Sequence, residues 1–477
     1  MQGKEVCDKV LSRREMLKRS LYGGLTASLA PSLWLSGCGS SKGRKDKLNV
    51  ILISIDTLRA DHVGCYGYER NTSPNIDFFA EKNILFKNCF IHEPSTTQSH
   101  MSMLTGLYPF THGVSPSSGL ALSRSRKTLA EVLRNEGYLT LGFVRQCGQM
   151  CANFGFARGF DLYVIGGHYE FIAESQNKFM ARYLKESKDD RLFLFVHYYD
   201  IHSDFEKLPY DSPPPYNEMF CPDYKGNFTG GDGKLYASKY LANANKKKVR
   251  FKQDDLEYIA ALYDGGVAYT DKCVGDLFAM LKKFGLYDNS LIILTSDHGE
   301  EFQEHGFMLH ENPCYYEGLV RVPMIIKLPG TGVAGKVVTR LVENIDIMPS
   351  ILAWLGVRNV PRMQGDNFMR LIDDPQAQWK DIVFGYSVKD GPRAFVRSSR
   401  WKLLTPNIQQ DQQFKMFDLS SDPQEKLDIT GNRGDVTEQL KAKLLDRYMK
   451  LEKPGPQKEV SITPKQLEIL KSLGYVQ

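Results

Sequence analysis

Two apolar runs in this 477-residue chain end in acids: "ILISIDT" delivers Asp56, and "IILTSDH" delivers Asp297 with His298 beside it. Two carboxylates and an imidazole make a ligand set suited to Ca, Mg, Mn or Zn. One such Asp alone reads as a helix cap. Two at matching strand ends, with a His adjacent, point to a divalent cation held between them. A third stretch, "PSTTQSHMSMLTGLYP" (94–109), gathers Ser95, Thr96, Thr97 and Ser99 ahead of an apolar segment. Hydroxyls placed there cap a helix expected to begin near Ser99, because they accept from its first backbone N–H groups. The same N–H groups and the helix dipole attract phosphate or sulfate. Cap and anion cradle are therefore compatible, and one of these hydroxyls is a candidate nucleophile.

The elements that must position these residues show in the periodicity. "LNVILISI" (48–55) and "SLIILTS" (290–296) are near-continuous apolar runs of the kind buried on both faces of a parallel sheet. Further strands are expected at 138–144, 192–198 and 322–328. "TLAEVLRNEG" predicts a helix closed by Gly137, and 254–284 predicts a long one with Ile259, Tyr263, Val267, Val274, Leu277 and Leu281 on one face. Strand and helix in alternation predict an α/β fold with a mostly parallel, helix-covered sheet, which binds ligands at the carboxyl ends of its strands. Residues 203–250, with "DSPPPY", "TGGDGK" and "NANKKKVR", read as an irregular lid or rim within a catalytic domain of 48–378. From 379 to 477, alternating strands at "AFVRSSRWKLLT" and "QFKMFDL" and two polar helices predict a small C-terminal subdomain with an antiparallel sheet.

A hydrophobic content of 42% supports a sizeable core. The net charge of +5 belongs to the N-terminus, with six basic against three acidic residues in 1–37 and four against one in 38–48. The body is close to neutral, which argues against a nucleic-acid partner. "SRREMLKRS" places Arg13 and Arg14 before a weakly apolar run that ends in "LSGC". The run from Ser20 to Ser36 is shorter and more interrupted than the ~20 apolar residues of a membrane-spanning helix. It resembles a twin-arginine export signal followed by a bacterial lipobox. That resemblance implies a signal peptide over 1–37, a lipid on Cys38, a tether over 38–47, and a protein on the periplasmic side of a bacterial envelope, held to the membrane by its lipid. Of nine Cys, Cys7 would leave with the signal and Cys38 would carry lipid, and the remaining seven show no zinc-site CxxC pair. Cys147 and Cys151, four apart, are expected to share a helix face.

Along the body, "DTLRADHVGCYGY", "TSPNIDFFAEKNILFKNCF", "MLTGLYPFTHGV", "TSDHGEEFQEHG", "YYEGLVRVPMIIKLPG", "NIDIMPSILAWLG" and "FDLSSDPQEK" follow one another in order. In these blocks the chain resembles the sulfatase branch of the alkaline phosphatase superfamily over 49–477. The resemblance implies an alkaline-phosphatase-like α/β/α sandwich, a divalent metal, and transfer of a sulfuryl or phosphoryl group to a nucleophile at a helix start. Carried over, Asp56, Asp297 and His298 match the metal ligands, with the oxygen of Thr96 as a further ligand. Thr96 falls at the nucleophile, His100 is expected to help hold the anion, and His202 or His310 to protonate the leaving group. His305 lies near in sequence.

The chain also departs from the pattern. A sulfatase of the usual kind has CxPSR or SxPSR, whose Cys or Ser becomes formylglycine, where this chain has "TTQSH". Threonine cannot yield that aldehyde, so a threonyl ester must be cleaved by a second in-line attack. This tilts the expected substrate toward phosphate or phosphonate esters of a small molecule, glycan or lipid, through a hydrolase or phosphotransferase. A sulfuric ester hydrolase of the arylsulfatase type and a non-catalytic binding lipoprotein are the alternatives. The usual basic pair after the third strand is reduced to Arg145, and Thr57 replaces a second Asp. His197, Asp200 and His202 leave room for a second metal, against which His197 reads as a core histidine. His62 and His112 read as supports for turns and helix packing.

Overall fold

Runs with no charged side chain form the centre of the sheet. β1 (Asn49–Ile55) and β5 (Leu192–Tyr198) are buried along their whole length. The computed structural model describes residues 48–460, apart from 146–148, 167–171, 205–207, 231–236, 311, 331–332, 388–391, 411–412 and 458. The remaining strands of the main sheet are β2 (Ile84–Phe90), β3 (Leu139–Arg145), β4 (Leu162–Gly166) and β6 (Ser290–Thr295). After a two-residue ribbon, β7 (Glu301–Phe302) with β8 (Met308–Leu309), come β9 (Arg321–Lys327) and β10 (Lys336–Glu343). The order is β10-β2-β9-β6-β1-β5-β3-β4, and β9 alone runs antiparallel to its neighbours. The carboxyl ends of β1, β2, β3, β5 and β6 therefore share one edge. That edge gathers Asp56, Asp297 and His298.

Alternation along β1 divides the core between two faces. Val50 and Leu52 join the cluster that takes Met101, Met103 and Leu104 from the helix Thr96–Thr105. Ile51, Ile53 and Ile55 join the opposite cluster, which includes Ile259, Val267, Val274 and Leu277 of the 31-residue helix Gln253–Lys283. Each fully buried Ile, Leu or Met side chain contributes roughly 1.5–3 kcal/mol. The result is an α/β/α sandwich of the alkaline-phosphatase type.

A four-stranded antiparallel sheet follows, built from β11 (Ile382–Tyr386), β12 (Ala394–Ser398), β13 (Trp401–Thr405) and β14 (Lys415–Asp418). The helix Gly434–Met449 packs Leu440 and Leu444 into its core with Val396, Leu403 and Met416. Only one of the two expected polar helices falls here; the other stretch, like Arg13, Arg14 and Cys38, lies outside the described residues.

Three local readings need correction. The catalytic-edge helix starts at Thr96, not near Ser99, and ends where Gly106 takes a left-handed φ of 66°. The 203–250 segment is less irregular than expected, since it carries the helix Ala237–Lys246. The Asn245 side chain brackets Met308, accepting from its N–H at 2.8 Å and donating to its carbonyl at 2.9 Å. These two bonds tie that helix to β8. Cys151 sits in extended backbone before a short turn at Ala152–Phe154 rather than on a helix, and Cys147 lies outside the described residues.

Candidate active site

Asp56 leaves β1 at the edge, and the next residue makes the turn that aims it. Thr57 has φ 57°, a left-handed conformation that strains a β-branched residue. Three hydrogen bonds hold it there. Its N–H donates to Asp297 Oδ1 at 3.2 Å, its hydroxyl to the Ile201 carbonyl at 3.2 Å, and its carbonyl accepts from Tyr263 Oη at 2.7 Å. Asp297 Oδ1 also accepts from His298 N–H at 3.0 Å. Its Oδ2 has no hydrogen-bond partner.

The same economy governs the other two groups. His298 Nδ1 donates to the Gly299 carbonyl at 2.8 Å, which fixes the tautomer and leaves the Nε2 lone pair bare. Asp56 Oδ2 accepts from His197 Nε2 at 3.0 Å, and Asp56 Oδ1 is left over. The three remaining atoms face one another: His298 Nε2 is 3.8 Å from Asp56 Oδ1 and 3.5 Å from Asp297 Oδ2. Buried donors and acceptors are seldom left unpaired. Three unpartnered ligand atoms within 4.8 Å of one another, all buried, fit a divalent cation.

The electrostatics agree. Burial opposes charge on Asp56, but the His197 hydrogen bond and the nearby imidazoles hold its carboxyl well below the usual range. Burial and then the Asp56 charge push Asp297 up. Two carboxylates this close, without a cation, do not both ionise readily.

Thr96 opens the helix that follows β2 at the same edge of the sheet, and its Oγ1 donates to Asp56 Oδ2 at 3.4 Å. The hydroxyls around it do other work than capping. Ser95 makes no cap hydrogen bond, Thr97 Oγ1 turns to Gln149, and Ser99 Oγ donates to the Asp297 carbonyl at 2.5 Å. His100 also departs from expectation. Its Nδ1 donates to the Thr96 carbonyl at 2.8 Å and its Nε2 accepts from Ser54 Oγ at 2.8 Å, so both nitrogens are spent inside the protein. Burial and the neighbouring His197 lower its pKa to about 3. Neutral and fully buried, it braces the helix start.

Across the site, His202 stacks on Tyr199 with ring centroids 4.4 Å apart, and its Nδ1 lies 3.1 Å from Asp204 Oδ2. Burial works to lower its pKa, but the Asp204 carboxylate, with Asp56 and Glu300 behind it, outweighs burial and raises it to about 9. His310 Nδ1 lies 3.1 Å from Glu300 Oε1, and its ring is 4.5 Å from that of His298 and 5.5 Å from that of His202. Glu300 is raised to about 8 by burial, against the pull of His202 and His298.

His197, Asp200 and His202 do not form a second metal group; among the described residues only Asp56, Asp297 and His298 qualify. His197 is tied to Asp56, Asp200 to Arg145 at 3.2 Å and to Ala173 N–H at 3.1 Å, and His202 to Asp204. His305 is held aside, stacked on Tyr316 at 3.5 Å with Nδ1 2.6 Å from Glu301. His62 Nδ1 pairs with Asp264 at 2.7 Å, and His112 Nε2 donates to the Gln98 carbonyl at 3.1 Å.

A family profile described as "Sulfatase" matches residues 48–357, and one described as "N-sulphoglucosamine sulphohydrolase, C-terminal" matches 303–453. The chain belongs to the sulfatase family. An arylsulfatase of Clostridium perfringens is 24% identical over 441 residues, spanning 80% of this chain and 89% of that protein. The multifunctional alkaline phosphatase superfamily protein PehA of Trinickia caryophylli is 24% identical over 473 residues, spanning 80% and 91%. In fold, the chain is similar to the phosphonate monoester hydrolase of Agrobacterium radiobacter, with TM-score 0.67, 22% identity and coverage of 88% of this chain and 99% of that one. As a sulfatase-family protein, this chain is a hydrolase of ester bonds. Family enzymes use a divalent metal, and the Asp56, Asp297 and His298 group is suited to one.

Glu300, Asp204, Ser54 and Gln149 were not singled out by sequence. Glu300 and Asp204 carried a signal, an acid two residues beyond a motif His in "DHGE" and "HSD". Ser54 and Gln149 carried none.

Proposed function

We propose that this sulfatase-family hydrolase uses Thr96 as its nucleophile and acts on phosphate or phosphonate esters. The observation that carries the reading is the position of Thr96, a threonine opening a helix with its hydroxyl 3.4 Å from Asp56, beside three unpartnered ligand atoms. Asp56, Asp297 and His298 would hold the metal, with Thr96 Oγ1 adjacent. Such an ion supplies positive charge that lowers the pKa of the hydroxyl and withdraws charge from the ester.

The protein's own groups divide the rest. Thr96 directs its proton toward Asp56 Oδ2, which leaves its lone pairs for the phosphorus. As the Thr96 Oγ1–P bond forms, the ester P–O bond breaks, and the departing alkoxide takes a proton. His202 is suited to give it, because Asp204 keeps it protonated at neutral pH and its Nε2 has no protein partner. The Thr96 proton is lost to solvent as its oxygen attacks. In the second half, water attacks the phosphorus and gives its proton to His202, the Thr96 Oγ1–P bond breaks, and the Thr96 oxygen takes up a proton from solvent. His310, beside Glu300, is placed to orient the ester.

An assay on p-nitrophenyl phosphate, bis-p-nitrophenyl phosphate, a phenyl phosphonate monoester and p-nitrophenyl sulfate, across several divalent metals, tests this. Turnover of a phosphorus ester above the sulfate is expected; turnover of the sulfate alone overturns the preference and restores the arylsulfatase reading. We further propose export through Arg13 and Arg14 and anchoring through a lipid on Cys38. No helix among the described residues is long and apolar enough to cross a membrane. Cys38→Ser should move the protein from the membrane fraction to the soluble one, and unchanged fractionation counts against the anchor.

A further inference from the structure

The loop after β3 brings Gln149 to the edge that holds Asp56 and Asp297, against the start of the Thr96 helix. Its Oε1 lies 3.3 Å from Thr97 N and 3.1 Å from Thr97 Oγ1, and the Thr97 hydroxyl is also 3.1 Å from the Gln149 carbonyl. A backbone N–H can only donate, so the carboxamide must turn its oxygen to the helix and its NH2 group away. That Nε2 is buried and has no hydrogen-bond partner, in a residue only 3% exposed. Leaving such a donor unpaired in a well-packed interior is costly.

The arrangement changes what the helix start offers. The Thr97 N–H, one of the free donors an anion would otherwise take, is consumed by Gln149. The carboxamide passes a donor onward in its place. Arg145, the cation that the same strand brings to the edge, is held by Asp200 at 3.2 Å. Among the described residues that follow β3 at this corner, the group left over is neutral.

We propose that Gln149 Nε2 donates a hydrogen bond to a non-bridging oxygen of the phosphoryl or phosphonyl group that Thr96 attacks, making Gln149 a specificity-determining residue of the site. This rests on the phosphorus-ester reading above and adds a substrate contact to it. The contact is with the transferred group, so it serves any ester of that class whatever its leaving group.

Two substitutions separate this role from a strut for Thr97. Gln149→Glu keeps an oxygen for Thr97 N–H and replaces the donor by a second oxygen that repels an anion. Gln149→Met removes both. The readouts, on the metal-loaded full-length protein, are kcat/KM on a phenyl phosphonate monoester and the inhibition constant of inorganic phosphate. Gln149→Glu should lose about a hundredfold in kcat/KM, in line with removal of an oxyanion donor, and bind phosphate correspondingly more weakly, with a lower melting temperature from the buried carboxylate. Gln149→Met should lose both affinity and some thermal stability. If Gln149→Glu matches wild type in both readouts while Gln149→Met falls, the side chain only supports Thr97 and the proposal is overturned. Failure of the wild type to turn over any phosphorus ester or bind phosphate would remove the underlying reading, and that shows before any variant is made.

Discussion

Two pairs of buried acids sit at the same edge of the same sheet, and they are neutralised in different ways. Glu343, the last residue of β10, and Asp346 surround Lys380, whose Nζ lies 2.6 Å from Glu343 Oε2 and 2.9 Å from both Asp346 oxygens. Backbone N–H groups of Asp366 and Glu343 complete Asp346. No lysine among the described residues pairs with Asp56 or Asp297, and each keeps one oxygen without a partner. The chain supplies its own cation at one place and leaves room for one at the other. An internal cation fixes structure, whereas an exchangeable one can polarise a substrate.

The largest expected effect is loss of that exchangeable cation. Asp297→Asn, or chelation of the wild type, should reduce kcat/KM by about a thousandfold or more, roughly 4 kcal/mol of transition-state stabilisation. Elemental analysis of Asp297→Asn should show little metal, and full metal content would break the ligand assignment. The same substitution should raise the melting temperature of the chelated protein, because it removes one of two like charges. The sign follows from linkage. With its pKa raised by burial and by Asp56, Asp297 binds a proton more tightly folded than unfolded, so its contribution to stability falls as pH rises above the ordinary carboxylate range.

Lys380→Met should act in the opposite sense. It leaves Glu343 and Asp346 buried without their cation, which costs about 3–5 kcal/mol, measurable by urea unfolding. Added divalent metal should not restore it. An unchanged unfolding midpoint would show that this pair does not depend on its lysine.

A smaller effect is expected at Asp204, which holds His202 protonated. Activity that needs the imidazolium should fall as pH rises through about 9. Asp204→Asn should move that alkaline limb to lower pH and cost roughly tenfold at pH 8, a fraction of what a general acid contributes. A limb that stays in place would point to His310 as the acid. Smallest of all in its effect on activity, Ser99→Ala removes the hydrogen bond to the Asp297 carbonyl and the one Ser99 Oγ accepts from Asn344 Nδ2, and should cost about 2 kcal/mol of stability, with most activity retained.

The same comparison explains what was legible in sequence. β1 and β6 were plain because a strand buried on both faces must be apolar throughout, and Asp56 and Asp297 stood out as polar residues just beyond each strand's end. The C-terminal sheet was visible in its alternation. The partners were not visible, because they meet across the fold: His100 with Ser54 and Thr97 with Gln149 are 46 and 52 residues apart. Nothing in local periodicity reports which hydroxyl a histidine will find, so His100 read as an anion contact when its nitrogens were already spent. The helix start was misplaced for a related reason. Thr96 and Thr97 look like capping residues by type, but tertiary contacts with Asp56 and Gln149 draw them into the first turn.

The most direct test of the central claim is to capture the covalent intermediate. Metal-loaded protein mixed with a phosphonate or phosphate ester, quenched in acid and digested, should yield a peptide modified on Thr96 that is absent from Thr96→Ala. That variant should still fold and bind metal while turning over almost nothing, and Thr97→Ala should remain active. Near-normal turnover by Thr96→Ala, with no modified peptide from the wild type, would contradict the account and leave Thr96 as the first residue of a helix and nothing more.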